Sequence, residues 1–364
     1  MFLVDRRGYP APVGPEVLAR QDDPRLTSEL ARFNLEANLT PRAFGGDCLR
    51  AMEAELGELI GLARRGAAAH GAEVLLCGIL PTLRAGDLTL ANMAPSPRYE
   101  AMNRAVTRAR GGEFRVRIEG VDELEVAHDN VMLESCNTSF QLHYQVDPAG
   151  FAGAYNVAQL AAAPLVAAAA NSPLLFGRKL WAETRIALFQ QSVDGRSPAQ
   201  LARGAPPRVY FGDRWVDDSV LEIVREDVAR FRVLLVSSGR DDPREALARG
   251  GPPGLDALRT HNGTVYRWNR PCYGVHEGAA HLRVEARALP AGPSVLDQMA
   301  TAALFFGLMA AGPEEYRDVA VRMPFDAAKR NFVAAAREGL DARFVWLDGT
   351  SYDAADLLRA ELVP

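Results

Sequence analysis

The chain has 364 residues, of which 48% are hydrophobic and 24% charged, and its formal net charge is −5. This composition is typical of a globular protein, and the acidic balance argues against a nucleic acid or an anionic membrane as partner, because both bind basic surfaces. Four cysteines without a Cys-x-x-Cys pair indicate a reduced, cytoplasmic protein. The start MFLVDRRGYPAPVG lacks the apolar core of a signal peptide, and the most apolar run, residues 160–170, is too short to span a bilayer.

The predicted elements alternate irregularly between strand and helix. In chain order the pattern predicts a strand (29–41), a helix (45–71), a strand (73–81), a helix (96–112), a strand (137–146), a buried helix (160–170), a mostly helical segment (216–236), a loop or linker (237–254), two strands (263–274 and 280–292) and three closing helices (294–309, 327–339 and 354–362). No GxGxxG opens a helix after a strand. The order favours one α+β domain, with an antiparallel sheet faced by helices, over a doubly wound fold.

The first strand, ELARFNLEANLTP (29–41), carries one glutamate on its polar face and another near its start. A separation of seven residues places Glu29 and Glu36 on opposite faces of a regular strand. Their carboxylates converge only if the chain turns or bulges between them. The alternative is a plain amphipathic strand without a site.

The strand NTSFQLHYQV (137–146) alternates between apolar and polar residues. Gln141 and His143 lie on its polar face, which carries hydrogen-bonding groups but no formal charge. A solvated outer face is one interpretation, and the floor of a ligand site is the other.

Two further segments place arginines beside apolar or aromatic residues. Arg185 lies among apolar neighbours in LWAETRIALFQQ, where it is either a salt-bridged scaffold residue or a clamp for a substrate carboxylate. In GTVYRWNRPCYG, alternation places Tyr266, Trp268 and Arg270 on one face. That face is suited to a planar or carboxylate-bearing ligand, although a packed aromatic beside a surface arginine gives the same pattern.

The strand HLRVEARAL places a carboxylate between two guanidinium groups on one face, with Glu285 flanked by Arg283 and Arg287. Such a face suits a site that holds a divalent metal and phosphate oxygens together. The alternative is a ladder of ion pairs on a solvated face. Because several strands share this polar-and-apolar division, the sequence suggests a curved sheet whose polar concave face lines a ligand funnel.

Motifs of other site classes are missing from the sequence. There is no Gly-Lys dipeptide for a P-loop and no GxSxG elbow. His276 and His281 in HEGAAH are five residues apart, whereas the zincin helix needs a separation of four.

The segments ELARFNLEANLTP, SCNTSFQLHYQV, TVYRWNRPCYG, HLRVEARALPAGPSVLDQMATAAL and AAKRNFVAAAREGL resemble, in order and spacing, those of glutamate–cysteine ligase family 2. These carboxylate–amine ligases belong to the glutamine synthetase-like superfamily, and the resemblance covers nearly the whole chain. It implies a curved, mainly antiparallel sheet flanked by helices. It also implies a reaction of glutathione biosynthesis that uses ATP and Mg²⁺, in which the γ-carboxylate of glutamate is phosphorylated and the amine of cysteine displaces phosphate.

The resemblance also implies roles for individual residues. The implied metal ligands are Glu29, Glu36, His143 and Glu285. Arg287 and Arg185 would be catalytic, and Arg287 would contact phosphate. The implied substrate contacts are Gln141, Arg185, Trp268 and Arg270, with Gln141 standing where many family members have a histidine. Asn331 and Arg337 match the pattern of the C-terminal helix, but no role follows for them.

One departure from the family pattern concerns the start of the chain. Family members begin with a strand that carries Glu-x-Glu just before a segment like FLVD, whereas this sequence begins MFLVD. We therefore expect the N-terminal strand and its two glutamates to be missing, which would weaken metal binding. The leading hypothesis is an ATP-dependent carboxylate–amine ligase. The rivals are a non-catalytic nucleotide-binding or regulatory protein and, more distantly, a guanidino phosphotransferase. The expected partners are amino acids, ATP and, as one option, further copies of the chain.

Overall fold

The computed structural model describes residues 1–236, 239 and 242–363. The α-helices are α1 (Gly14–Gln21), α2 (Cys48–Ala68), α3 (Pro97–Arg110), α4 (Phe151–Ala169), α5 (Thr184–Ser192), α6 (Pro198–Ala202), α7 (Val220–Arg230), α8 (Pro243–Ala248), α9 (Asp256–Asn262), α10 (Val295–Glu315), α11 (Val319–Arg322), α12 (Phe325–Glu338) and α13 (Ala354–Leu357). The strands are β1 (Phe2–Val4), β2 (Leu26–Ser28), β3 (Leu35–Ala37), β4 (Glu73–Leu75), β5 (Phe114–Glu119), β6 (Glu123–His128), β7 (Leu142–Val146), β8 (Leu174–Leu175), β9 (Arg178–Lys179), β10 (Val209–Tyr210), β11 (Tyr266–Arg267), β12 (Asn269–His276), β13 (Ala279–Ala286), β14 (Arg343–Val345) and β15 (Ser351–Asp353).

The α+β class is confirmed, and the pairing of the strands is mainly antiparallel. Within the described residues the strands form small separate sheets and not the one continuous curved sheet that was expected. The largest has three strands in the order β12-β13-β7. Among the strands of the described residues, β10 and β11 are the one pair that runs parallel. Isolated bridges, such as that of Phe2 in β1 with Asn34, link some of these sheets to neighbouring loops. Many strands are only two or three residues long, so few backbone groups are available to extend a sheet further.

The main core forms around α4, which packs against α10 and α12. The predicted buried helix is confirmed, but it begins at Phe151, well before residue 160. Two polar residues, Asn156 and Gln159, precede the apolar run within α4, yet both are buried. The Asn156 amide donates to the backbone oxygen of Val216, and the Gln159 amide donates to that of Phe211. By length and composition, residues 148–169 and α10 would each suffice to cross a membrane, but 83% of the first window is buried inside the protein, as in a core helix.

Several other predicted elements differ in length. The strand predicted over 73–81 is formed only by β4, and the helical segment predicted over 216–236 is formed only by α7. Part of the predicted linker forms α8, which begins at Pro243. The side chain of Asp242, just before the helix, accepts a hydrogen bond from the backbone N–H of Arg244. Residues 237, 238, 240 and 241 of that linker lie outside the described residues. The closing helices are confirmed, although the last turns into a π-helical segment over 358–362.

Candidate functional site

The three-stranded sheet brings three polar side chains into one row across neighbouring strands. Arg270 on β12 pairs with Glu285 on β13, which pairs with His143 on β7. Because residues directly opposite each other in an antiparallel sheet point to the same face, the alternation predicted from the sequence places these groups together. The ring nitrogen Nε2 of His143 lies 3.8 Å from Oε1 of Glu285.

Both carboxylate oxygens of Glu285 are held by guanidinium groups. Nε of Arg270 donates to Oε2 at 2.6 Å, and Nη1 of Arg287 donates to Oε1 at 2.7 Å. Arg287 Nη1 also lies 3.4 Å from Oε1 of Gln141. Burial of Glu285 acts to raise its pKa, but the charges of Arg287 and Arg270 outweigh burial and hold the pKa well below its usual range.

A hairpin brings the two N-terminal glutamates together. Strands β2 and β3 pair antiparallel with Thr27 opposite Glu36, so the chain reverses between Glu29 and Glu36. The turn on which the predicted convergence depended is therefore present. Oε2 of Glu36 accepts from the Thr27 hydroxyl at 3.1 Å. Burial and the nearby Glu36 charge raise the pKa of Glu29.

The structure adds a third carboxylate, Glu134, to this pair. It lies on the 3₁₀ segment Val131–Cys136, whose first turn is capped by the side chain of Asn130. Burial and the neighbouring Glu29 raise the pKa of Glu134 to about 8, against the opposing charges of Arg287 and Arg185. Sequence reasoning missed this residue. The available signal was one acidic side chain inside the apolar run VMLESC.

Arg185 is buried on α5, and its two terminal nitrogens have protein partners, whereas its Nε is buried without a hydrogen-bond partner among the described residues. Nη1 donates to Glu183 Oε1 at 2.9 Å and to the backbone oxygen of Ala288 at 3.2 Å, and Nη2 donates to the Ser139 hydroxyl. Gly78 permits this packing, since a Cβ there would lie 3.1 Å from Arg185 Cδ. The arrangement matches the salt-bridged scaffold interpretation, and the catalytic and substrate-binding role of Arg185 stays a prediction.

Trp268 lies within an aromatic group and is 1% exposed. Its ring contacts Phe189 and Phe332, with centroid distances of 5.7 Å in both cases. Phe189 also contacts Tyr266, whereas Arg270, two residues beyond Trp268, turns to Glu285. The predicted aromatic face is therefore present, and contact of Trp268 and Arg270 with a substrate stays a prediction.

A single cavity of about 1250 Å³ joins these groups. Its walls include the carboxylates of Glu29, Glu36 and Glu134, together with Gln141, His143, Arg185, Trp268, Arg283 and Arg287. Within the part of the chain that the structure describes, Arg283 makes no ion pair with a carboxylate, and Nη1 lies 3.1 Å from the ring nitrogen of His281. This volume exceeds that of a typical small-molecule pocket, so it has room for two substrates side by side.

Two residues of the C-terminal helix lie outside this group. Asn331 is buried and binds the backbone of Val345 through both its amide atoms, at 2.8 and 3.0 Å. The guanidinium of exposed Arg337 lies 4.9 Å from the ring of Trp181. The geometry therefore gives Asn331 a role in holding β14 against α12.

The three cavity carboxylates are suited to Mg²⁺. They are oxygen donors, which Mg²⁺ prefers, and a dication would relieve the repulsion that raises the pKa of Glu29 and Glu134. The group around Glu285 is less suited to Mg²⁺, because both oxygens already bind guanidinium groups and the neighbouring donors are His143 and Cys272. The predicted ligands thus fall into two separate groups in the structure.

Comparison with known proteins gives one family match. The model for glutamate-cysteine ligase family 2 (GCS2) matches residues 13–362, nearly the whole length of the chain. A search of curated proteins finds no match.

Proposed function

The chain belongs to glutamate–cysteine ligase family 2, and from this premise we propose that it is an ATP- and Mg²⁺-dependent ligase that joins a carboxylate substrate to an amine. The observation that carries the proposal is the meeting of Glu29, Glu36 and Glu134 with Arg287 around one large cavity. Phosphoryl transfer to a carboxylate brings several negative groups together, and a site for it must supply both metal ligands and guanidinium groups.

The chain's own residues would divide this work by charge. Glu29, Glu36 and Glu134 would hold Mg²⁺. ATP bound together with the ion would supply the phosphoryl group that activates the carboxylate substrate. Arg283 and Arg287 face the cavity and would offset negative charge on phosphate and substrate.

The test is ADP release from the purified chain with ATP, Mg²⁺, a carboxylate amino acid and an amine. Glutamate with cysteine is the first pair, followed by a panel of amino acids. We expect ADP release to require both substrates and the product to be an amide by mass spectrometry. A phosphorylated amine without an amide would instead identify a guanidino-type phosphotransferase. No ADP from any pair would contradict the ligase proposal.

One observation favours a second candidate, a nucleotide-binding protein without turnover. Glu285 is an implied metal ligand, but Arg270 and Arg287 occupy both of its oxygens. If that arrangement persists with nucleotide, the second group of predicted ligands is poorly suited to hold Mg²⁺. Calorimetry would then show ATP binding in the presence of Mg²⁺ while the ADP assay stays at the background rate.

A further inference from the structure

One part of the cavity wall is apolar. It is formed by three side chains of α2 and three aromatic side chains, which come from the segment before α2, from β7 and from α10: Met52, Leu56, Ile60, Phe44, Tyr144 and Phe306. The three α2 residues are spaced four apart, so they lie on one face of the helix. None of the six side chains, named here the apolar wall, carries a formal charge at neutral pH. A charged group placed against them would lose hydration and gain no ion pair.

The three aromatic rings of the apolar wall contact one another. The Phe44 ring centroid lies 5.8 Å from that of Tyr144 and 5.9 Å from that of Phe306, and the last two are 6.2 Å apart. These distances are within the usual range for aromatic pairs. Phe44 nevertheless remains 53% exposed. An apolar ligand group that covers this ring would remove unfavourable apolar surface from water.

The segment that carries Phe44 is held in place by a buried carboxylate. Oε1 of Glu55, on α2, accepts from the backbone N–H of Thr40 at 3.1 Å and from its hydroxyl at 2.7 Å. Oε2 of Glu55 accepts from Nη2 of Arg42 at 2.9 Å, so the charge of Arg42 is paired within the protein. The apolar wall is therefore positioned before a ligand arrives, which lowers the entropic cost of binding.

The apolar wall and the carboxylates belong to the same cavity. Residues 35–44 line it without interruption, from Glu36 to Phe44. The reacting group of the carboxylate substrate must lie near the cation that Glu29, Glu36 and Glu134 would hold, and the amine must reach it from another part of the cavity. Building on the ligase function proposed above, we infer that the amine substrate carries a large apolar or aromatic side chain, which packs against the apolar wall. A side chain as small as that of cysteine would cover little of it.

The test is calorimetry on the full chain with Mg²⁺ and a non-hydrolysable ATP analogue. The probes are L-phenylalaninamide and L-alaninamide, which are amines without a carboxylate. We expect L-phenylalaninamide to bind at least tenfold more tightly, because even one methylene in a fitted apolar pocket changes binding about tenfold or more. Equal affinities, or no heat from either amide, would overturn the inference. Tight binding of 3-phenylpropanoate with equal affinities of the two amides would place the apolar group on the acid and overturn its assignment to the amine.

Variants locate the bound side chain. Phe44→Ala and Phe306→Leu should each weaken L-phenylalaninamide binding, the first at least tenfold, and leave L-alaninamide binding within twofold of the unaltered chain. The control is Leu90→Ala, since Leu90 is also 53% exposed but does not line the cavity. It should change neither affinity. Circular dichroism would check that each variant is folded, and an unchanged affinity of folded Phe44→Ala for L-phenylalaninamide would overturn the inference.

Failure of this inference is distinguishable from failure of the ligase proposal, because binding is measured without turnover. ADP release from glutamate and a small amine, with equal affinities for the two amides, would overturn the role of the apolar wall and leave the ligase proposal standing. Preferential binding of L-phenylalaninamide without ADP release from any pair would support the apolar wall as a binding site and contradict the ligase proposal.

Discussion

Two glutamates, Glu134 on the cavity wall and Glu285 buried beside the cavity, show how the surroundings decide the charge of a carboxyl group. Glu285 is fixed by Arg270 and Arg287, and its pKa is held well below the usual range. Glu134 faces Glu29, and its pKa is raised to about 8. Groups whose pKa values are separated in this way are frequent at functional sites. At neutral pH, Glu285 is an anion with its charge compensated, whereas Glu134 is poised to exchange a proton or bind a cation.

The raised pKa of Glu134 makes the stability of the metal-free chain depend on pH. The folded-state pKa of about 8 lies above the ordinary glutamate pKa of 4.5, so the folded state binds this proton more tightly than the unfolded state. Its favourable contribution to the free energy of unfolding is complete below pH 4.5 and disappears as the pH rises to about 8. We expect Glu134→Gln to lose less stability than the unaltered chain over this window, as measured by urea denaturation in EDTA.

The control for Glu134→Gln is Glu53→Gln, which alters an exposed glutamate on α2. It should follow the pH dependence of the unaltered chain. Near pH 8, added Mg²⁺ should restore part of the free energy of unfolding that the unaltered chain has lost. It should have less effect on the free energy of unfolding of Glu134→Gln. Parallel curves for the Glu134 variant and the unaltered chain would show that this carboxyl group does not titrate between pH 4.5 and 8.

The hairpin of β2 and β3 shows how far the sequence predicts the site. Strand alternation correctly placed Glu285 and Arg287 on one face, where Arg287 donates to Glu285, because a period of two fixes which way each side chain points. Alternation alone did not bring Glu29 and Glu36 together, because their convergence depended on a turn between them. Residues 29–34 form that turn. Glu134 escaped prediction because a short 3₁₀ segment has no long repeat to mark its buried side, and its partner Glu29 is distant in sequence.

A similar limit applies to the sheets. The sequence indicates strands through local alternation, but which strands pair depends on contacts between distant segments. The parallel pair β10–β11 joins residues 209–210 to 266–267, and a buried ion pair between Arg267 and Asp227 ties this pair to α7 at 2.8 Å. Neither partnership has a local signal in the sequence. The long helices were easier to predict, because their apolar spacing is contained within each segment.

At the C-terminal end, Asn331 joins an α-helix to a strand, and its replacement should destabilise the fold. Asn331→Leu removes a buried side-chain amide and leaves the backbone N–H and oxygen of Val345 without their partners. We expect a loss of about 2–4 kcal/mol in the free energy of unfolding, measured by urea denaturation. Val333→Ala, at a more exposed position of the same helix, should cost less than about 1 kcal/mol. Equal losses in both variants would contradict this role of Asn331.

At the scale of the whole molecule, the cavity lies where separate small sheets and a large helical core approach one another. The β2–β3 hairpin supplies Glu29 and Glu36, and the segment before β7 supplies Glu134. Arg283 lies on β13, and Arg287 follows the last residue of that strand. A ligand that binds all of these groups must therefore connect elements that share few hydrogen bonds with one another. Binding should stabilise the molecule as a whole, because a ligand that binds only the folded state shifts the unfolding equilibrium.

Thermal unfolding measures this coupling directly. ATP with Mg²⁺ at about one hundred times its dissociation constant should add about 2.7 kcal/mol of stability and raise the unfolding temperature by roughly 3–4 °C. ATP with EDTA should give a much smaller rise, because the phosphates then meet Glu29, Glu36 and Glu134 without a cation between them. The double variant Glu29→Gln and Glu36→Gln should lose most of the metal-dependent rise, while Glu53→Gln keeps it. Equal rises with Mg²⁺ and with EDTA would mean that nucleotide binds away from these carboxylates.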